Sequence, residues 1–174
     1  PADGGGQRLR RTPCGGHDRM TPFTRHCGVA LPLLRDNIDT DAIIPSREMR
    51  TVSRSGLAAG LFAPWRYLDP DARTPNPEFA LNQSEYNGAS ILLAGDNFGC
   101  GSSREHAVWA LMESGFRAVI APSFATIFCN NALRNGLLTV ALAKHDLDEL
   151  VAWVSADPAV NAIQLDLEAC TIES

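Results

Sequence analysis

Two hydrophobic patterns alternate along this chain, and together they predict most of its regular structure. Apolar runs at 29–34, 90–94 and 137–142 have the length and composition of buried strands. Apolar side chains recur at helical spacing over 108–112, shortly after the second run. A strand that leads into a helix is the repeating unit of α/β proteins, so the pattern favours that class.

The remaining elements are predicted from start and stop signals. Ser123 is the expected N-cap of a helix that runs to about Arg134, with Gly136 as its C-cap. Another helix is predicted to begin at Asp146, and alternating apolar residues over 162–167 predict a half-buried strand. The order of elements predicts an α/β fold with parallel strand–helix–strand units.

The chain divides into a leader and one domain. Residues 1–19 are rich in Gly and Arg without apolar periodicity, so we expect a disordered leader that precedes the domain proper. Residues 20–174 are predicted to form the domain, with turns over the segment 69–88, which is rich in Pro, Asn and Asp. A length of 174 residues with 45% hydrophobic content suffices for one sizeable core.

Charge and composition exclude several classes of function. A net charge of −5 argues against a protein that binds nucleic acid through its phosphate backbone. No apolar run approaches the roughly 20 residues that a membrane helix needs. The five cysteines have no framework spacing, which predicts reduced thiols and a cytoplasmic protein.

The stretch 99–106 carries the most specific chemistry, because it places two hydroxyls and a guanidinium where a glycine-rich turn meets a helix. A helix start leaves N–H groups unpaired and carries the positive end of the helix dipole, which suits an anion. A guanidinium can hold a carboxylate through two parallel hydrogen bonds. The stretch therefore predicts a site for an acid. Its residues are Gly99, Cys100, Gly101, Ser102, Ser103, Arg104, Glu105 and His106.

A capping box is the alternative interpretation of the same residues. Ser102 and Glu105 have the S-x-x-E spacing that satisfies two unpaired N–H groups at a helix start. Three other glycine-containing loop motifs do not match the residues of this stretch. The dinucleotide fingerprint requires glycine in place of Arg104, the P-loop requires glycine in place of Cys100, and the nucleophile elbow requires glycine in place of Glu105.

Four segments, at 37–45, 60–66, 96–107 and 121–128, resemble the swivel domain of the aconitase superfamily, and in particular the small subunits of bacterial 3-isopropylmalate dehydratases. The resemblance extends over about residues 20–170. It implies an aconitase-type swivel domain, a mixed β/β/α fold with parallel strand–helix–strand units. It also implies a hydro-lyase that isomerises 2-isopropylmalate and 3-isopropylmalate by dehydration and rehydration in leucine biosynthesis.

The resemblance further implies a division of labour between two subunits. A [4Fe-4S] cluster is expected in a large partner subunit, and no metal is expected on this chain. The cysteines agree with this, since none forms a C-x-x-C pair and no three lie at cluster-binding spacing. They stand at positions 14, 27, 100, 129 and 170.

Roles for the 99–106 stretch follow residue by residue from the resemblance. Ser102 would remove the proton from carbon, while Ser103 and Arg104 would bind a substrate carboxylate. A serine is a weak base, so its alkoxide needs backbone N–H donors, each worth about 2.7–4 kcal/mol. These donors are expected around Gly99, Cys100 and Gly101.

Two further segments are candidates for substrate contact. Thr40 and Asp41 are expected either to contact the substrate or to form, with Asp39, an Asx-type turn that ends a strand. The resemblance also implies that the loop after 37–45 selects the substrate side chain. In this chain that specificity loop consists of Glu48, Met49, Arg50 and Thr51.

The specificity loop leaves the substrate open. An isopropyl group needs an apolar wall, whereas an arginine in this loop can favour a third carboxylate. A homoaconitase-like or methylmalate/citraconate hydro-lyase is therefore the alternative within the same chemistry. A carboxylate-binding domain without catalysis is the alternative from another class. Bacterial members of the family continue with another strand and helix, so the resemblance implies a C-terminally truncated domain over 20–174.

Overall fold

Strands and helices alternate along the computed structural model, which describes residues 23–49 and 55–174. Short 3-10 turns occur at Ser46–Glu48, Ala58–Gly60, Ala80–Asn82 and Ser84–Tyr86. In chain order the strands are β1 (Arg25–Gly28), β2 (Ala30–Leu33), β3 (Tyr67–Asp69), β4 (Thr74–Pro75), β5 (Ile91–Ala94), β6 (Ala118–Ala121), β7 (Leu138–Ala141), β8 (Ile163–Asp166) and β9 (Thr171–Glu173). The α-helices are α1 (Thr40–Ile43), α2 (Ala63–Arg66), α3 (Glu105–Glu113), α4 (Thr126–Asn135) and α5 (Lys144–Ala156).

A parallel four-stranded sheet forms the centre of the fold, with strand order β2-β5-β6-β7. Its register aligns Ala30 with Ile91, and Ile91 with Ala118. Helix α3 connects β5 to β6, and α4 connects β6 to β7, so consecutive parallel strands are joined by helices. This confirms the predicted α/β class and its strand–helix–strand units.

A second, antiparallel sheet packs beside the first, with strand order β1-β8-β9. Strand β1 pairs with β8 so that Arg25 faces Asp166, and β8 pairs with β9 so that Leu165 faces Ile172. Strands β3 and β4 form a separate small hairpin. The result is the mixed β/β/α arrangement that the resemblance implied.

Two hydrophobic cores lie on opposite faces of the parallel sheet, and β5 contributes to both. Ile91 and Leu93 belong to the core that α5 and the antiparallel sheet cover, whereas Leu92 and Ala94 belong to the core under α3 and α4. Successive strand residues point to opposite faces, and both faces are buried here. This explains why the sequence over 90–94 is continuously apolar rather than alternating.

The predicted elements occur, but several begin elsewhere than expected. The apolar run at 29–34 is the second of two strands, since β1 precedes β2. Helix α5 begins at Lys144 rather than at Asp146. Gly136 is the C-cap of α4 with a left-handed φ of 81°, as predicted. In the parts of the chain that the structure describes, no helix is long and apolar enough to cross a membrane.

The predicted N-cap of α4 is wrong. Helix α4 begins at Thr126, and its capping residue Ala125 has no side chain that could accept a hydrogen bond. The Ser123 hydroxyl instead donates to the Asp96 carboxylate and accepts from the Asn97 N–H at 2.9 Å. Ser123 therefore joins two neighbouring loops rather than starting a helix.

Candidate functional site

Loops that follow β2, β5 and β6 meet at one edge of the parallel sheet. The Asn37 N–H donates to the Asp96 carbonyl at 2.8 Å, and the Gly99 N–H donates to the Ile38 carbonyl at 2.8 Å. The Phe98 N–H donates to the Ser123 carbonyl at 3.1 Å. Ligands of open α/β sheets commonly bind at the carboxyl ends of the strands, which is this edge.

Two glycines shape the loop after β5. Gly99 has a φ of 76° and Gly101 a φ of 84°, a left-handed conformation that other residues adopt only at a cost. A side chain at Gly99 would also place its Cβ 2.6 Å from Cβ of Phe128, which is far too close. Gly99 therefore makes room for an aromatic side chain of α4, a packing role that the sequence did not indicate.

Ser102 and Ser103 lie exposed between this loop and α3. The capping-box interpretation is wrong, because α3 begins at Glu105 with Arg104 at the cap position and no side-chain cap. The Glu105 carboxylate instead accepts from Nδ2 of Asn135 at 2.8 Å. The Ser102 hydroxyl is therefore not needed to start the helix.

Ser102 and its two sequence neighbours offer backbone N–H donors. Among the described residues, the N–H groups of Gly101, Ser102 and Ser103 donate to no protein acceptor. They stand where the first turn of α3 adds further unpaired N–H groups and the positive end of its dipole. This arrangement can stabilise a negative charge beside the Ser102 hydroxyl.

The Arg104 guanidinium is held by a carboxylate from the neighbouring loop. Its Nη1 donates to Asp41 Oδ1, and the Arg104 side chain is only 22% exposed. The Asp41 carboxylate also accepts from the Ser46 hydroxyl at 3.3 Å. The ion pair fixes one side of the guanidinium and leaves further donors of the planar group for a second anion.

Asp39 and Thr40 stabilise the loop that follows β2. Oδ1 of Asp39 accepts from the Ala42 N–H at 2.7 Å, so Asp39 is the N-cap of α1. Thr40 is 2% exposed, and its hydroxyl donates to the Ser102 carbonyl at 2.8 Å. The turn that the sequence predicted at 39–41 is thus present as a capped helix start.

A cavity of about 230 Å³ opens between the loop after β5 and the first turns of α4. The sequence did not assign a role to its α4 wall, although the segment 121–128 was part of the resemblance. The cavity is lined by Thr40, Gly99, Gly101, Ser102, Ser103, Arg104, Ala125, Thr126, Ile127, Phe128 and Asn131. Three of the predicted loop residues with hydroxyl or guanidinium groups therefore share one concave surface.

The specificity loop is described only in part, since Arg50 and Thr51 lie outside the described residues. The Glu48 carboxylate accepts from Nη2 of Arg73 at 2.5 Å, so an ion pair occupies it. Met49 packs against the core under α3 and α4. Neither side chain lines the cavity beside Ser102.

The segment 56–58, which follows the specificity loop in the chain, is hydrogen-bonded to α3. The Glu113 carboxylate accepts from the backbone N–H groups of Gly56, Leu57 and Ala58 at 2.6, 2.5 and 3.0 Å. Burial by itself raises the pKa of the Glu113 carboxyl, but the three hydrogen bonds outweigh it and lower that pKa. Glu113 is therefore bound in its charged form.

Cysteine and histidine side chains do not converge at the site. Cys100 is half-buried and its backbone forms a parallel bridge with Asp39, while the His106 ring packs against Trp109 at 4.7 Å between centroids. Over residues 23–49 and 55–174, no three His, Cys, Asp or Glu side chains are grouped so as to hold a metal ion.

Known proteins share this sequence and fold. A family model described as the aconitase C-terminal domain matches residues 20–145. The 3-isopropylmalate dehydratase small subunit of Cupriavidus necator is 62% identical over 155 residues, which are 89% of this chain and 74% of that protein. The 3-isopropylmalate dehydratase small subunit of Shewanella baltica strain OS185 is 54% identical over 155 residues, 89% of this chain and 77% of that protein.

A solved structure agrees with these relatives. The crystal structure of 3-isopropylmalate dehydratase from Methanocaldococcus jannaschii superposes with a TM-score of 0.62 at 34% identity, covering 85% of this chain and 74% of that one. The family model spans most of the domain, and the relatives align over most of both chains. This chain therefore belongs to the aconitase C-terminal domain family and, within it, to the small subunits of 3-isopropylmalate dehydratase.

Proposed function

We propose that this chain forms one wall of an active site that isomerises 2-isopropylmalate and 3-isopropylmalate by dehydration and rehydration. As a small subunit of a hydro-lyase it works with a large subunit, and we propose that the two form a heterodimer. The observation that carries the proposal is a cavity beside a helix start that is lined by the exposed Ser102 and Ser103 and by Arg104, with unpaired N–H groups at 101–103. Such a set suits a di-acid substrate.

Ser102 is the proposed base that takes the proton from the substrate carbon. Its hydroxyl is exposed and is not used to cap α3. The form of a serine that acts as a base is the alkoxide, which becomes the hydroxyl when it takes the substrate's proton and is formed again when that proton is returned. Preorganised N–H donors are worth about 2.7–4 kcal/mol each in stabilising such a charge. The unpaired N–H groups of Gly101 and Ser103 are the donors that we assign to it.

Ser103 and Arg104 are the proposed carboxylate clamp. The guanidinium stands at the cavity wall, and Asp41 holds it from the other side. An arginine that is already oriented loses less freedom when it binds, and each charge-assisted bond contributes roughly 1.5–3 kcal/mol. Asp41 thereby acts on the substrate through Arg104 rather than by contact.

The cofactor is assigned to the partner. We propose that the large subunit carries a [4Fe-4S] cluster, which when bound supplies a Lewis acid for the substrate hydroxyl. The donor groups of the described residues favour this division, because they offer anion-binding N–H groups rather than metal ligands. This chain then positions the carboxylate and moves the proton.

The pathway and compartment complete the proposal. We place the reaction in leucine biosynthesis in the cytoplasm, where thiols stay reduced. The free thiols of Cys27, Cys100, Cys129 and Cys170 are consistent with a reducing compartment.

Anaerobic reconstitution with a cluster-loaded large subunit tests the proposed substrate. We expect turnover of 3-isopropylmalate, with homoaconitate and citraconate assayed in parallel at equal concentrations. Faster turnover of homoaconitate or citraconate would replace the substrate while keeping the chemistry. A stable complex that turns over none of the three would favour a carboxylate-binding domain without catalysis.

A further inference from the structure

Thr40 binds two carbonyl groups of the loop that carries Ser102. Its backbone N–H donates to the Cys100 carbonyl at 3.0 Å, and its hydroxyl donates to the Ser102 carbonyl at 2.8 Å. The two carbonyls lie on either side of Gly101, so one residue holds the loop at two points.

These two hydrogen bonds also set the direction of two N–H groups. All described peptide bonds are trans, and in a trans peptide the C=O and N–H point in opposite directions. Fixing the Cys100 carbonyl toward Thr40 therefore turns the Gly101 N–H away from Thr40. Fixing the Ser102 carbonyl does the same for the Ser103 N–H.

The N–H groups so directed are the donors that remain unpaired. Within the described residues, neither the Gly101 N–H nor the Ser103 N–H donates to a protein acceptor. The Gly101 N–H belongs to the peptide between Cys100 and Gly101, and the Ser103 N–H belongs to the peptide between Ser102 and Ser103. Donors that are aimed before the charge develops stabilise it most, because no reorganisation is then required.

Thr40 can impose this geometry because its own position is fixed. It is 2% exposed at the start of α1, which Asp39 caps and which Ile43 and Ile44 anchor as fully buried side chains. The Ile44 N–H donates to the Thr40 carbonyl at 2.9 Å. The buried start of α1 thus stabilises the loop that carries Ser102, in which the glycines have left-handed φ values.

We infer that Thr40 is a positioning residue: its hydroxyl fixes the peptide between Ser102 and Ser103 so that backbone donors face the Ser102 oxygen. The inference rests on the proposed role of Ser102. It departs from direct substrate contact, which was one of the two roles that the sequence left open for Thr40. A hydroxyl has one proton to donate, and the Ser102 carbonyl receives it.

Steady-state kinetics of the reconstituted two-subunit enzyme tests the inference. Thr40→Val keeps the branched shape and removes the hydroxyl, whereas Thr40→Ser keeps the hydroxyl. We expect Thr40→Val to lower kcat by about 10- to 100-fold with KM within threefold, below the roughly 10²–10³-fold loss of an entire oxyanion donor. Thr40→Ser should stay within about threefold of the parent enzyme in both constants.

Controls separate positioning from misfolding and from failure of the proposed function. Circular dichroism confirms that each variant is folded, and Thr40→Ala replaces Thr40→Val if the valine variant does not fold. Ser84→Ala, a distant exposed hydroxyl that donates only to Glu85, should leave kcat and KM unchanged. Ser102→Ala reports on the base itself and should abolish turnover.

Each of the following kinetic results would overturn the inference. If Thr40→Val keeps the kcat of the parent enzyme, the hydroxyl is not required for catalysis. If Thr40→Val keeps that kcat but has a raised KM, Thr40 contacts the substrate instead. A Thr40→Ser enzyme as slow as Thr40→Val would assign the effect to shape. Retained turnover in Ser102→Ala would contradict the proposed base, whereas an inactive Ser102→Ala beside a fully active Thr40→Val would contradict the role of Thr40 alone.

Discussion

Two neighbouring loops begin alike and end differently. We call residues 36–40 the scaffold loop and residues 96–104 the serine loop. The second residue of each is an asparagine in the left-handed conformation, Asn37 at φ 56° and Asn97 at φ 55°, and Nδ2 of Asn97 donates to Oδ1 of Asn37 at 2.8 Å. The scaffold loop then enters α1 through the cap of Asp39, whereas the serine loop enters α3 without a side-chain cap.

The difference concerns where polar groups find partners. In the scaffold loop the Asp39 carboxylate and the Thr40 hydroxyl are both bound to backbone groups. In the serine loop the hydroxyls of Ser102 and Ser103 are exposed, and the N–H groups of Gly101, Ser102 and Ser103 are unpaired among the described residues. Polar groups without a protein partner that converge beside a cavity are available to bind a ligand. We therefore propose that the scaffold loop serves stability and the serine loop serves the substrate.

Substituting Gly99 should break the serine loop most severely. Gly99→Ala is expected to lower the free energy of unfolding by about 3 kcal/mol, because alanine is strained at this φ and its Cβ collides with Phe128. Gly88→Ala is the matched control, since Gly88 has a φ of 75° with nothing within 4 Å of a Cβ. Gly88→Ala should lower the free energy of unfolding by about 1 kcal/mol. Equal losses in urea unfolding would contradict the packing role of Gly99.

Removing the planar group of Arg104 should weaken substrate binding next. Arg104→Lys keeps the charge but loses the fork, so we expect KM of the reconstituted enzyme to rise about tenfold, close to 1.4 kcal/mol. Steady-state kinetics measures it. Arg134→Lys on the exposed face of α4 should leave KM unchanged. A parental KM in Arg104→Lys would place the carboxylate elsewhere.

Capping residues should distinguish the two loops by stability. Asp39→Ala removes the N-cap of α1 and should lower the unfolding free energy by about 1 kcal/mol. Ser103→Ala removes an exposed hydroxyl of the serine loop and should change the unfolding free energy by less than about 0.5 kcal/mol. Chemical denaturation compares the two variants directly. A larger loss in Ser103→Ala would reverse the assignment of the loops.

Removing the charge of Glu113 should have a small effect on stability that depends on pH. Glu113→Gln keeps the size but loses the charge, and we expect a loss of about 1 kcal/mol or less at pH 7, because the side chain is partly exposed. The folded pKa of Glu113 is lowered, so its contribution is full above the ordinary glutamate pKa and disappears as pH falls through the lowered value. Thermal unfolding of parent and variant should therefore converge in acid. A constant difference between pH 7 and pH 3 would contradict this.

Local sequence patterns predicted the strands and helices, but they did not predict the hydrogen-bond partners of the side chains near the helix ends. The apolar run at 90–94 and Gly136 predicted a buried strand and a helix end, because both depend on neighbouring residues alone. The capping box that was the alternative interpretation at Ser102 and the expected cap at Ser123 are both absent, because distant partners decide both sites. Glu105 binds Asn135, 30 positions away, and Ser123 binds Asp96, 27 positions away.

The candidate site was predicted in part for the same reason. The spacing of Ser102, Ser103 and Arg104 beside a helix start could be read from one stretch of sequence. The α4 wall at Ile127 and Asn131 and the contact of Thr40 with Ser102 could not. Those contacts exist only because parallel strands bring loops together that are far apart in the chain.

Ser102→Ala tests most directly whether the unpaired groups of the serine loop act on the substrate. The variant should be measured twice, for unfolding free energy and for turnover of 3-isopropylmalate with the large subunit. We predict an unfolding free energy within about 0.5 kcal/mol of the parent protein and a loss of turnover of at least about 10³-fold. A variant that loses about 1 kcal/mol of stability but keeps its turnover would show that Ser102 caps α3, and would contradict the account.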